Sequence, residues 1–213
     1  MKTATRYVSF VVVPLALGLF ATARPALTLF VGQPYVSGSI PLMILTLVFA
    51  LTIIGTALSP MLLALGETAA SSLISIGSVG LSLTVAFALV PLFGMVGAAV
   101  ARGLSLIATT GLTILFLRRK LSLHLDLEAF SKSIIAGGTM AVVVMALQIW
   151  FHSRFLLLGC VLVGGVTYLV MLRLLKAAQP RDVDLINKYF GKRLAFIGSL
   201  LKTILLPRQR TAA

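Results

Sequence analysis

Of the chain's 213 residues, 59% are hydrophobic and 11% charged, and the mean hydropathy is +1.10. A soluble domain carries roughly a quarter charged residues, so this composition excludes a water-soluble fold and points to a polytopic membrane protein. The formal net charge of +13 could suit nucleic acid, but the basic residues bracket apolar runs and crowd the C-terminal end. That is the pattern of cytoplasmic flanks of membrane helices, and no nucleic-acid partner is expected. A single cysteine, Cys160, lies in an apolar run; it excludes a disulfide framework and reads as a packing residue.

The first stretch, "MKTATRYVSFVVVPLALGLFATA", has the basic start and apolar core of a signal peptide. Its apolar pattern continues through "RPALTLFVG", so it reads as a first transmembrane helix. A bilayer core needs about 20 apolar residues per helix, and six such stretches follow in order: 7–30, 36–65, 69–90, 95–117, 129–151 and 155–175. The connections "GQPYVS", "LGETAAS", "PLFG", "RRKLSLHLDLE" and "HSR" are short and carry breakers. Short connections predict antiparallel neighbours, hence an all-α up-down bundle over residues 1–178.

Lys2 and Arg6 precede the first span, Arg118–Lys120 and Lys132 lie between the fourth and fifth, and Arg173 and Lys176 follow the sixth. Six crossings put all of these on one side. The excess of Lys and Arg predicts cytoplasmic termini and a place in the cell membrane.

Within the spans, Gly77, Gly80, Gly94, Gly97, Gly103, Gly137, Gly138, Gly164 and Gly165 are expected to let helices approach closely. Pro14 and Pro41 fall inside spans and Pro60 near the end of one. Each is expected to remove a backbone hydrogen bond that a neighbouring helix or a hydroxyl must restore. Several prolines also suit a bundle that bends between two states, as transporters do.

After Pro180 the character changes. Val183, Ile186, Phe190, Leu194, Ile197, Leu201 and Ile204 recur at steps of three and four, one face of a helix. Lys188, Lys192, Arg193 and Lys202 flank that face. Residues 179–213 are therefore expected to form a basic amphipathic tail along the inner membrane surface, with membrane lipids as partners.

The inventory argues against catalysis. The five acids, Glu67, Asp126, Glu128, Asp182 and Asp184, all fall in predicted loops or first helical turns, where an acid favours the helix dipole. None pairs with another inside the membrane for acid–base work. His124 and His152 lie in loops on opposite faces and cannot share a metal, so no metal, cofactor or enzyme activity is expected. What stands out is two cations. Arg24 precedes the outer end of the first span by about six residues, and Arg102 lies about eight residues inside the fourth, depths of roughly 9 to 12 Å. A charge there either faces protein or a water-filled cavity, or snorkels its head to the interface. If both face inward they suit an anionic substrate such as a phosphate or pyrophosphate, for which Arg offers a planar fork of donors.

Three motifs in order resemble a known family: "LTLFVGQPYVSGSIPLMIL" (27–45), "LLALGETAASS" (62–72) and "LVPLFGMVGAAVARGLSL" (89–106). They look like the C-terminal half of polysaccharide or oligosaccharide flippases of the multidrug/oligosaccharidyl-lipid/polysaccharide exporter superfamily. The matching residues are Gly32, Tyr35, Pro41, Leu42 and Leu45; then Leu65, Gly66, Glu67 and Thr68; then Pro91, Phe93, Gly94, Gly97, Ala98, Ala99 and Ala101. Where many members carry an Asn before the Pro-aromatic-Gly turn, this chain reads "SLTVAFALVP", with Ser82 and Thr84 as polar stand-ins.

The resemblance implies the last four helices of a second lobe plus two extra C-terminal helices, with the N-terminal lobe elsewhere, on the same or a separate chain. It implies translocation of polyprenyl-(pyro)phosphate-linked saccharide, with Arg102 in a polar cavity lining and Arg24 as its companion. A cation-coupled multidrug exporter ranks behind it, since such exporters usually need intramembrane acids. A non-transport scaffold subunit is the rival of another class.

Overall fold

The computed structural model describes residues 2–120, 127–150 and 156–175. These form six α-helices and no strand: α1 (Lys2–Phe30), α2 (Ser39–Ala64), α3 (Thr68–Phe93), α4 (Met95–Lys120), α5 (Leu127–Trp150) and α6 (Leu156–Leu174). A short 3₁₀ turn, Gln33–Gly38, links α1 to α2. Five helical stretches are long and apolar enough to cross a membrane, and α6 adds a shorter apolar segment, Gly159–Leu174. The chain is an all-α polytopic bundle, as its hydropathy predicts. The expected tail at 179–213, both histidines, Asp126, Asp182 and Asp184 lie outside the described residues.

Glycine sets two tight reversals among the described residues. After α2, Gly66 takes φ +76°, its N–H bonds the Leu63 carbonyl, and the Glu67 N–H bonds that of Leu62. This doubly bonded stop satisfies carbonyls that the helix end leaves free. Between α3 and α4, Gly94 alone at φ +56° makes the turn. The hairpin closes so tightly that a Cβ on Gly97 would stand 2.3 Å from the Leu89 carbonyl oxygen.

The helices pack in the order α6, α5, α1, α2, α4, α3. This corrects one expectation from connection length. Although residues 65–67 alone separate them, α2 and α3 scarcely touch; α4 returns along α2 and places α3 on its far side. The reason is close fit between α2 and α4: Gly55 lies under Thr110, and Gly103 under Val48. In lipid, such contact between small residues, rather than burial from water, drives helix association. The same device joins α1 to α5 (Leu17 over Gly137, Met140 over Gly18) and α5 to α6 (Val144 and Met140 over Gly164). Gly77, Gly80, Gly138 and Gly165, expected at close approaches, meet nothing among the described residues.

Phe130 at the start of α5 packs against Leu58 and Leu62 near the end of α2 and Leu117 near the end of α4. Leu172 of α6 joins Ala136 and Phe10. These contacts gather Arg6, Arg118, Arg119, Lys120, Lys132 and Arg173 at one end of the bundle, a basic end opposite the Gly94 turn. Cys160 is buried among Val13, Ala141 and Val144, the packing role expected of it.

Candidate substrate-facing surface

Arg102 lies on the second turn of α4, exposed, with Ala101 and Gly103 buried on either side. Thr109 follows it by seven residues, two turns, and so shares its face about 10 Å nearer the basic end. Thr109 Oγ1 stands 2.6 Å from Ser78 Oγ of α3 and 2.7 Å from the Ser105 carbonyl oxygen. Further along, Lys120 pairs with Glu67, at the start of α3, and lies over the Phe116 ring at 5.5 Å. The α3–α4 edge therefore carries a polar line: an ion pair at the basic end, a hydroxyl pair midway and a guanidinium near the other end. Many other hydroxyls in the spans bond the carbonyl one turn back, as Thr52 does to Val48 and Ser133 to Ala129 at 2.8 Å each. These add no net polarity to the lipid-facing surface.

Arg24 is also exposed, near the same end of the bundle as Arg102. It follows Leu17 by seven residues, on the side of α1 that packs on α5, and Thr28 Oγ1 bonds its carbonyl at 2.6 Å. The two arginines share a level but are not brought into contact: α1 and α4 each pack along α2 and make little contact with one another.

Three features escaped the sequence reading. Arg6, placed ahead of the first span, is buried inside α1, with its guanidinium carbon 5.4 Å from the Phe10 ring centre. Pro25 lies inside α1, while Pro41 falls in the first turn of α2 and breaks no helical bond, because that turn's N–H groups have no partner in any case. And two side chains from α5 and α6 reach α1: Gln148 Nε2 bonds the Ala21 carbonyl at 3.1 Å, and the Tyr168 hydroxyl bonds that of Phe10 at 2.9 Å. A polar residue within an apolar span (Tyr168) or at its end (Gln148), set against a proline four residues past its acceptor, was the signal that could have revealed both. Glu128 sits in the first turn of α5 as expected, paired with Lys132 at 2.6 Å. Among the described residues no cluster of His, Cys, Asp and Glu could hold a metal.

Helices in this order, with most of the described cations at one end and two arginines toward the other, define a multi-pass membrane protein built on the packing of small residues. No protein-family model matches the chain, and no curated protein sequence does. Among solved structures it is similar to a lipid II flippase MurJ in an inward closed conformation, with a TM-score of 0.73 and 18% identity. The likeness covers 87% of this chain and 39% of that one, so the chain spans well under half of its structural neighbour.

Proposed function

We propose that this chain is part of a transporter that moves polyprenyl-(pyro)phosphate-linked saccharide across the membrane, acting by conformational change rather than catalysis. The observation that carries the reading is the likeness to a lipid II flippase over 87% of the chain, in a fold this sequence also resembles motif by motif. Coverage of 39% of the neighbour leaves room for a further lobe, on the same chain or a partner. In this reading Arg102 and Arg24 receive the anionic head from the half of the membrane away from the basic end. A guanidinium offers two parallel donors to a phosphate, and in a site with little water each such bond is stronger than in bulk. The polar line on the α3–α4 edge gives the sugar hydroxyls successive partners.

The test is photocrosslinking in native membranes, with a diazirine placed on the pyrophosphate-proximal sugar of a lipid-linked saccharide. Adducts on α4 peptides around Arg102 and on α1 peptides around Arg24 are expected, competed away by unlabelled substrate. Adducts spread evenly over lipid-facing positions, unaffected by competitor, would contradict it. A cation-coupled drug exporter is the second reading, and competition by organic cations in the same experiment would favour it.

A further inference from the structure

A proline in a helix interior cannot donate to the carbonyl four residues earlier, and in lipid an unmet carbonyl costs several kcal/mol. Pro14 and Pro25 both lie inside α1. The carbonyls they leave without a helical donor belong to Phe10 and Ala21. Both of these carbonyls meet a polar side chain from the neighbouring helices: Tyr168 of α6 meets Phe10, and Gln148 of α5 meets Ala21. Ser133 of α5 lies beside the same Tyr168 phenol. The geometry also repeats. Phe10 and Ala21 are eleven residues apart, about three turns and 16 Å along the helix, so both carbonyls open toward the same side.

We infer that α5 and α6 form a brace whose two side chains, Gln148 and Tyr168, latch the two proline joints of α1 and so set how readily that helix bends. Each latch replaces a bond that the joint lacks. Breaking it costs no helical hydrogen bond, only the cross-helix one, so α1 can flex at either joint while α5 stays packed along it through Leu17, Gly137, Gly18 and Met140. Helix kinks concentrate at proline. Two on one face, each with its own releasable partner, make α1 a jointed rod rather than a fixed strut. The bearing of the latch on transport rests on the flippase reading; the latch itself does not.

The experiment places spin labels at Val11 and Leu29, exposed positions that bracket both joints. It uses the whole chain in lipid nanodiscs with Cys160→Ala. In a straight helix the labelled positions stand about 27 Å apart, within reach of dipolar measurement. Tyr168→Phe with Gln148→Leu is expected to widen the distance distribution. Adding Pro14→Ala and Pro25→Ala is expected to abolish that widening, because residues 14 and 25 then donate to Phe10 and Ala21. Equal widening with the alanines present, or no widening at all, overturns the latch. Tyr168→Phe with and without Pro14→Ala gives the same cycle at one joint should Gln148→Leu fail to insert. In vesicles that translocate a lipid-linked saccharide, the latch variants are expected to change the maximal rate several-fold and leave half-saturation unmoved. Vesicles that transport nothing even with the unaltered protein count against the flippase reading, while the distances alone decide the latch.

Discussion

The Tyr168 hydroxyl stands 2.9 Å from the carbonyl oxygen of Phe10, the acceptor that Pro14 leaves without a helical donor. A hydrogen bond across helices within lipid contributes about 1 kcal/mol net, and the phenylalanine that replaces tyrosine keeps the ring's packing. Tyr168→Phe is therefore expected to lower unfolding stability by about 1 kcal/mol in detergent. It should cost measurably less in a Pro14→Ala background. Thermal unfolding of the four proteins in that cycle checks it; additive losses would mean the phenol stabilises through something other than the orphaned carbonyl.

The α3–α4 turn gives a sharper steric prediction. A methyl on Gly97 would meet the Leu89 backbone, which cannot rotate aside. Gly97→Ala is expected to open the hairpin and cost about 2 kcal/mol or more. At Gly137 the obstacle is the tip of the Leu17 side chain, which can yield, so the alanine there should cost less. Gly80 meets nothing within 4 Å, and its alanine should be neutral or slightly stabilising, since glycine is the poorer helix former. Ranked denaturation midpoints of the three variants test the close-approach account directly.

Glu67 and Lys120 form an ion pair at the basic end, with side chains 30% and 50% exposed. Pairs so open to solvent contribute less than about 1 kcal/mol and are screened by salt. Glu67→Gln should shift the unfolding midpoint slightly at low ionic strength and not at all in high salt. A large, salt-independent loss would mean that Glu67 does more than hold Lys120.

Arg24 and Arg102 are both exposed on the six helices, and a lined cavity differs from a snorkelling contact in whether water or lipid surrounds the side chain. Arg102→Cys in a Cys160→Ala background separates the two. In the proposed reading a membrane-impermeant thiol reagent modifies position 102 quickly, and a lipid-linked saccharide slows it. Arg102→Gln should leave the fold intact and reduce transport by roughly tenfold or more, since a charge-assisted bond to phosphate contributes on the order of 1.5–3 kcal/mol.

The helices themselves were legible from hydropathy, because a span announces itself through some twenty apolar residues and glycines at 66 and 94 mark where two of them stop. Their neighbours were not. The pairing of α2 with α4 rests on Gly55 fitting beneath Thr110, and that complementarity has no period along the chain. Connection length paired α3 rightly with α4 but also with α2, which it scarcely touches: a short link permits contact but does not drive it. Arg24 and Arg102 were legible as cations at depth, since charge in an apolar run is conspicuous. Gln148 and Tyr168 were not, because a single amide or phenol in a span carries no charge signal. Their meaning emerges only when the carbonyl four residues before each proline is treated as an acceptor in need of a donor.

Translocation of a lipid-linked saccharide can be measured directly by reconstitution. Protein isolated from its own membrane, with any chain that accompanies it, is reconstituted into vesicles containing a fluorescent polyprenyl-pyrophosphate-linked sugar. Loss of inner-leaflet protection is then followed with a membrane-impermeant quencher. Label in the inner leaflet is expected to become quenchable in protein-containing vesicles, more slowly with Arg102→Gln. Inner-leaflet label that stays protected, in vesicles where the protein is folded and correctly inserted, would contradict it.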